Sequence, residues 1–151
     1  MQAFEYLVRK KDGQPLQYLI VDDSIFARRN LQRIIAMFGG VMVGEASDGR
    51  AAVAAYGRLL PDLVLMDVTM PDMEGIEAAE HIINQHPEAR IVMVSSVGYQ
   101  DNVAEALRKG VLYFVQKPPK PEILYNVIKS VMGQDAIAAP VGEEDSNAHE
   151  N

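Results

Sequence analysis

The sequence predicts an open, doubly wound α/β fold, a parallel sheet covered by helices on both faces. Three observations carry this. Five short apolar runs recur between about Gln17 and Gly133. Between them the apolar spacing changes to i, i+3, i+4, i+7, the mark of one-sided helices. The runs are continuous rather than alternating, as in strands buried on both faces, and strands alternating with helices make repeated βα units.

In chain order the runs are Tyr18-Leu19-Ile20-Val21, Val41-Met42-Val43, Leu63-Val64-Leu65-Met66, Ile91-Val92-Met93-Val94 and Tyr113-Phe114-Val115. The first helix is read from Leu31, Ile34, Ile35 and Phe38, the second from Ala52, Ala55, Tyr56 and Leu59, and the third from Ile76, Ala79 and Ile83. Val103, Ala106 and Leu107 mark a fourth, with Gly110 as its stop, and Leu124, Val127, Ile128 and Val131 a fifth, with Pro121 in its first turn. This unit, residues 17–133, is expected to be one domain. Residues 1–16 form an N-terminal extension, in which Lys11-Asp12-Gly13-Gln14-Pro15 is turn chemistry and Phe4 to Val8 suits a strand or a short helix. Residues 134–151 carry no helical or strand period and are expected to be a disordered acidic tail.

At 151 residues the chain can bury a core without staples, and it has no cysteine, which excludes disulfides, thiolate metal sites and thiol nucleophiles. The net charge of −7 lies mostly in the tail, where Asp135, Glu143, Glu144, Asp145 and Glu150 occur without a Lys or Arg. No basic stripe stands out to attract nucleic acid. No signal-peptide pattern or membrane-length apolar run occurs, so a cytoplasmic protein without membrane contact is expected. Neither G-x-G-x-x-G nor G-x-x-x-x-G-K-[ST] is present, which disfavours nucleotide binding.

The strand ends carry the chemistry. In open parallel sheets ligands bind beyond the carboxyl ends of the strands. The first run leads into Asp22-Asp23, the third into Asp67, the fourth into Ser95-Ser96 and the fifth into Lys117-Pro118; the second ends at Glu45-Ala46-Ser47. Carboxylates converging at one edge repel unless a cation lies among them, and an all-oxygen set suits Mg²⁺. Ser24 is able to cap the first helix, leaving Asp23 for metal. Lys117 adds a fixed positive charge and Ser95 a hydroxyl, so a phosphoryl group would be held between cations and a donor. A carboxylate can accept such a group as an acyl phosphate, and Asp67, alone at its strand end, is the candidate nucleophile.

The set Val21-Asp22-Asp23-Ser24, Met66-Asp67-Val68-Thr69-Met70-Pro71 with Gly75, Val94-Ser95-Ser96 and Val115-Gln116-Lys117-Pro118 resembles the receiver domains of two-component response regulators, most of all the stand-alone chemotaxis type. The resemblance implies a flavodoxin-like (CheY-like) fold of five strands in the order 2-1-3-4-5 with five flanking helices. It further implies phosphorylation of Asp67, Mg²⁺ held by Asp22 (through water), Asp23, Asp67 and the Thr69 carbonyl, and a phosphoryl contact from Lys117 before a cis Pro118. Ser95 and Phe114 match the switch pair whose hydroxyl moves to the phosphoryl group and whose ring swings inward; Phe stands where Tyr is commoner. The partners implied are a CheA-like histidine kinase and a FliM-like flagellar motor switch protein bound by the face of helix four, strand five and helix five, the receiver being a monomer.

Thr69, Ser96 and Val97 govern access to the phosphoryl group by the same resemblance. Val97 offers an attacking water neither charge nor hydrogen bond, so slow self-dephosphorylation and a separate phosphatase are expected. Two other readings share the chemistry. A phosphorelay receiver would pass its phosphoryl group to a histidine phosphotransfer protein. An aspartyl-phosphate phosphohydrolase would need a second acid two residues after the nucleophile, where this chain has Thr69.

Overall fold

The computed structural model describes residues 4–70, 73–96 and 99–139, with the backbone alone for residues 99–101. The chain runs β1 (Tyr6–Arg9), β2 (Gln17–Val21), α1 (Ile25–Met37), β3 (Val41–Ala46), α2 (Gly49–Leu59), β4 (Leu63–Met66), α3 (Gly75–Gln85), β5 (Ile91–Ser95), α4 (Tyr99–Arg108), β6 (Tyr113–Gln116), α5 (Pro121–Met132) and β7 (Ala136–Ala139), with a 3-10 turn at Gly133–Asp135.

The main sheet has the order β3-β2-β4-β5-β6. All its pairings are parallel. Once β1 is set aside as an added strand, this is the expected 2-1-3-4-5. Every residue of β4 and β5 is buried, whereas β3 and β6, at the two edges, are partly open. Alternate side chains of a strand point to opposite faces, and the core divides accordingly. Leu19, Val21, Val64, Met66, Ile91 and Met93 pack with α2, α3 and α4 on one face. Tyr18, Ile20, Leu63, Leu65, Val92 and Val94 pack with α1 and α5 on the other. The expected stops hold: Gly110 after α4 has φ +103°, and Pro121 opens α5.

The flanking segments behave differently from their composition. Phe4 to Val8, left open between strand and helix, contributes β1. The segment after Gly133, expected to be disordered, instead turns through Gly133–Asp135 into β7, which pairs antiparallel with β1 from Tyr6↔Ala139 to Arg9↔Ala136. Ala-Ile-Ala-Ala is too short and small-sided to announce a strand, and it becomes one only because β1 supplies unpaired backbone groups to bond with. Residues 140–151 of the expected tail lie outside the described residues.

This two-stranded ribbon is packed onto the α1/α5 side. Phe4 stands edge-on to Phe38 at 4.8 Å between ring centroids and lies 4.9 Å from Tyr125 of α5. The Leu7 amide donates to the Phe38 carbonyl at 2.9 Å, Tyr125 Oη donates to the Glu5 carbonyl at 3.0 Å, and the Lys10 amide donates to Asp135 at 2.9 Å. Arg90 pairs with Asp135 beneath the ribbon. Truncating a buried Phe removes both its transfer free energy and its packing partners. Phe4→Ala is therefore expected to lower the unfolding free energy by about 3 kcal/mol in urea melts; a loss below about 1 kcal/mol would mean that the ribbon is a passive attachment.

Candidate functional site

Four strand ends at the carboxyl edge of the main sheet bring the singled-out residues together. The β2–α1 turn carries Asp22 and Asp23. Ser24 caps α1 through its hydroxyl, which accepts from the Ala27 amide at 3.3 Å, so the capping task falls on the serine and Asp23 stays exposed. Asp22 is 1% exposed, and its Oδ1 accepts from the Ser24 amide at 2.9 Å.

Asp67 follows directly from β4 and is 9% exposed. Its amide donates to the Val21 carbonyl at 2.9 Å, which extends the β2/β4 pairing to the edge of the site. Its Oδ1 accepts from the Val68 amide at 2.7 Å, leaving Oδ2 toward Lys117. The loop after it is pinned where the Gly75 amide donates to the Val68 carbonyl at 2.6 Å, and a Cβ on Gly75 would run into the Asp67 carbonyl oxygen. A glycine is required there for close backbone approach.

Carboxylate oxygens of Asp22, Asp23 and Asp67 lie within 4.8 Å of one another. Oxygens on opposite sides of a Mg²⁺ ion stand about 4.2 Å apart. The donor set is all oxygen, it is open to solvent on the Asp23 side, and two of its members are buried charges in need of a counterion. These residues fit a hard divalent cation.

Lys117 answers part of that need. Its Nζ donates to Asp22 Oδ2 at 2.6 Å and to Asp67 Oδ2 at 3.3 Å. Burial works against the ammonium, but the hydrogen bond to Asp22 and the charges of Asp67 and Asp22 outweigh it and hold the lysine pKa above its ordinary value. Lys117 is thus a permanent cation at neutral pH. Its amide donates to the Ser95 carbonyl at 3.0 Å, and the bond that follows, Lys117-Pro118, is cis as expected.

Ser95 is 1% exposed at the end of β5, in register with Gln116, and Ser96 beside it is exposed. Thr69 is exposed on the loop beyond Asp67. Phe114, opposite Met93 in register, is 4% exposed and shares an apolar cluster with Met93, Ala106 and Val111, so its ring is held inward in this structure. Val97 and Pro71 lie outside the described residues.

Sequence reading passed over two residues that touch this edge. Arg28 Nη1 donates to the Asp22 carbonyl at 2.6 Å and Arg28 Nε donates to Glu45 at 2.7 Å. In sequence Glu45 is marked only as the end of the second run, and nothing about an arginine one turn into a helix marks it as a loop anchor.

Residues 18–129 match the response regulator receiver domain family. The chain belongs to that family. The receiver is 42% identical to the chemotaxis protein CheY of Thermotoga maritima over 113 residues, covering 75% of this chain and 94% of that protein. It is 39% identical to CheY of Bacillus subtilis, covering 76% of this chain and 95% of that one. A chain in the crystal structure of the CheX–CheY–BeF3–Mg²⁺ complex from Borrelia burgdorferi superposes with a TM-score of 0.80 at 32% identity, covering 84% of the receiver and 96% of that chain. The receiver is thus a close relative of CheY in two-component signalling. No helix among its described residues is long and apolar enough to cross a membrane.

Because Lys117 is the ammonium between two buried carboxylates, Lys117→Met is expected to destabilise the receiver by about 2 kcal/mol in EDTA, below the cost of breaking a fully buried pair because the site is partly open. Adding MgCl2 should restore most of it, since a ligand that binds only the folded state stabilises by mass action. Urea melts of both proteins with and without Mg²⁺ check this; a variant as stable as wild type in EDTA would show that the lysine does not neutralise the cluster.

Proposed function

We propose that the receiver is a phosphorylation-activated chemotaxis response regulator. The observation that carries this reading is the cluster of Asp22, Asp23 and Asp67 at the sheet edge with the Lys117 ammonium against two of them. Asp67 is the phosphoacceptor: an Oδ attacks the phosphorus of a phosphohistidine on a CheA-like histidine kinase, the P–N bond breaks, and an acyl phosphate forms. Asp22, Asp23, Asp67 and the Thr69 carbonyl are the residues that would hold Mg²⁺, which supplies charge neutralisation for phosphoryl transfer. Lys117 contributes its fixed charge to the phosphoryl oxygens, and Ser95 a hydroxyl donor.

Output runs along the β6 edge. A cleft of about 380 Å³ extends from Lys117 past Phe114 to Tyr113, Lys120 and Ile123. Tyr113 of β6 and Ile123 of α5, which line it, are each more than two-fifths exposed. Exposed apolar side chains beside a cleft mark a docking surface, and in this reading it takes a FliM-like motor switch protein once the Ser95 hydroxyl engages the phosphoryl group and the inward Phe114 ring is held in place. Exposed Thr69 and Ser96 leave the phosphoryl group open to a separate phosphatase; the Borrelia CheY is itself seen bound to a second protein, CheX, with BeF3 and Mg²⁺. The receiver performs no chemistry on other substrates in this reading and acts in the cytoplasm as a monomer.

Incubation with acetyl phosphate and Mg²⁺ tests the proposal. Intact mass is expected to rise by one phosphoryl group, and the gain should vanish in EDTA and in Asp67→Asn. A folded wild-type protein that gains no mass would overturn the phosphoacceptor assignment.

A further inference from the structure

The main chain of Asp22 is anchored to the end of β3 through both of its polar groups. Its amide donates to the Ala46 carbonyl at 3.0 Å. Its carbonyl accepts from Arg28 Nη1 at 2.6 Å, and Arg28 Nε is in turn held by Glu45 Oε1 at 2.7 Å, one residue before Ala46. The Arg28 side chain is 13% exposed and its bond to the Asp22 carbonyl is part-buried, whereas its pair with Glu45 lies at the surface; a hydrogen bond to a charged group is strongest on the buried side.

The Asp22 carbonyl belongs to the rigid peptide plane that leads into Asp23. Its direction sets the backbone from which the exposed Asp23 carboxylate reaches the other two acids. Arg29 provides an internal contrast. It pairs with the same Glu45 at 3.0 Å from a half-exposed position and, among the described residues, has no bond to Asp22.

We infer that Arg28, locked in place by Glu45, is a positioning residue for the acidic cluster, fixing the Asp22–Asp23 peptide so that Asp23 stands ready for a divalent cation. This rests on the reading of the cluster as a Mg²⁺ site. Charge alone demands the opposite sign: deleting a cation bonded to the acidic turn strengthens the cluster's hold on another cation. A positioning role demands that Mg²⁺ binding weaken despite the gain in negative field. Glu45 then has two tasks, aiming the fork and offsetting its charge.

The test is an NMR titration of the full chain with MgCl2, following the amides of Asp67 and Val68. For Arg28→Ala the Mg²⁺ dissociation constant is expected to rise about tenfold, the lower end of what losing a partner that orients a metal ligand costs. Glu45→Gln should weaken binding less and add nothing in the Arg28→Ala background, because the two act in series. Arg29→Ala should stay within about twofold of wild type, as a residue outside the ligand-orienting chain does. Should Arg28→Ala fail to give a folded spectrum, Arg28→Lys, which keeps the charge but cannot fork between two partners, is expected to show the same loss. Wild-type amides that do not shift saturably would bring down the metal site and this inference together. Saturable wild-type binding matched by Arg28→Ala, or an equal loss in Arg29→Ala, would overturn the Arg28 role alone.

Discussion

Two buried carboxylates, Asp22 and Asp67, meet at the open edge of a parallel sheet, and the chain must keep them charged and close. Left alone they would repel each other and lose hydration, a cost of several kcal/mol per group. The Lys117 ammonium, delivered from the far end of the sequence by β6, lies against both at 2.6 and 3.3 Å. This one cation makes the cluster tolerable in a folded protein while leaving Asp23 turned to solvent. A site built this way holds excess negative charge beside a fixed positive charge, the combination that the proposed Mg²⁺ and phosphoryl roles draw on.

The scaffold exists to make that meeting reproducible. Parallel pairing places β2, β4, β5 and β6 in register, so that the residues following them emerge at one edge. The Asp67 amide bonded to Val21 and the Lys117 amide bonded to Ser95 extend the sheet's hydrogen bonding into the site itself. Ser24 takes the cap of α1, and Gly75 lets the next helix begin against the Asp67 main chain. Beyond them Arg28 and Glu45 tie the acidic turn to β3, which gives the exposed carboxylate a fixed base.

The ribbon of β1 and β7 sits on the helical layer of α1 and α5, away from the carboxyl edge that carries the acidic cluster. Phe4 completes an aromatic trio with Phe38 and Tyr125 and so covers apolar surface between α1 and α5. The ribbon thus packs against α5, the helix whose first turn also borders the β6 cleft.

By itself the sequence determined the layered βα architecture, because apolar runs and helical periods are local patterns that burial on both faces of a sheet enforces. It also determined the identity of Asp22, Asp23, Asp67, Ser95 and Lys117 as edge residues, since each lies within two residues of the end of a legible apolar run. Only the tertiary structure decided which of them touch. The pairing of Lys117 with Asp22 spans 95 residues of chain and depends on strand order, which no local pattern encodes. The same holds for β7, whose Ala-Ile-Ala-Ala becomes a strand only beside β1, and for Arg28, whose role appears only when α1, the Asp22 carbonyl and Glu45 are brought within hydrogen-bond reach. Periodicity records what a segment buries; long-range polar contacts are set by geometry that forms only once the sheet is assembled.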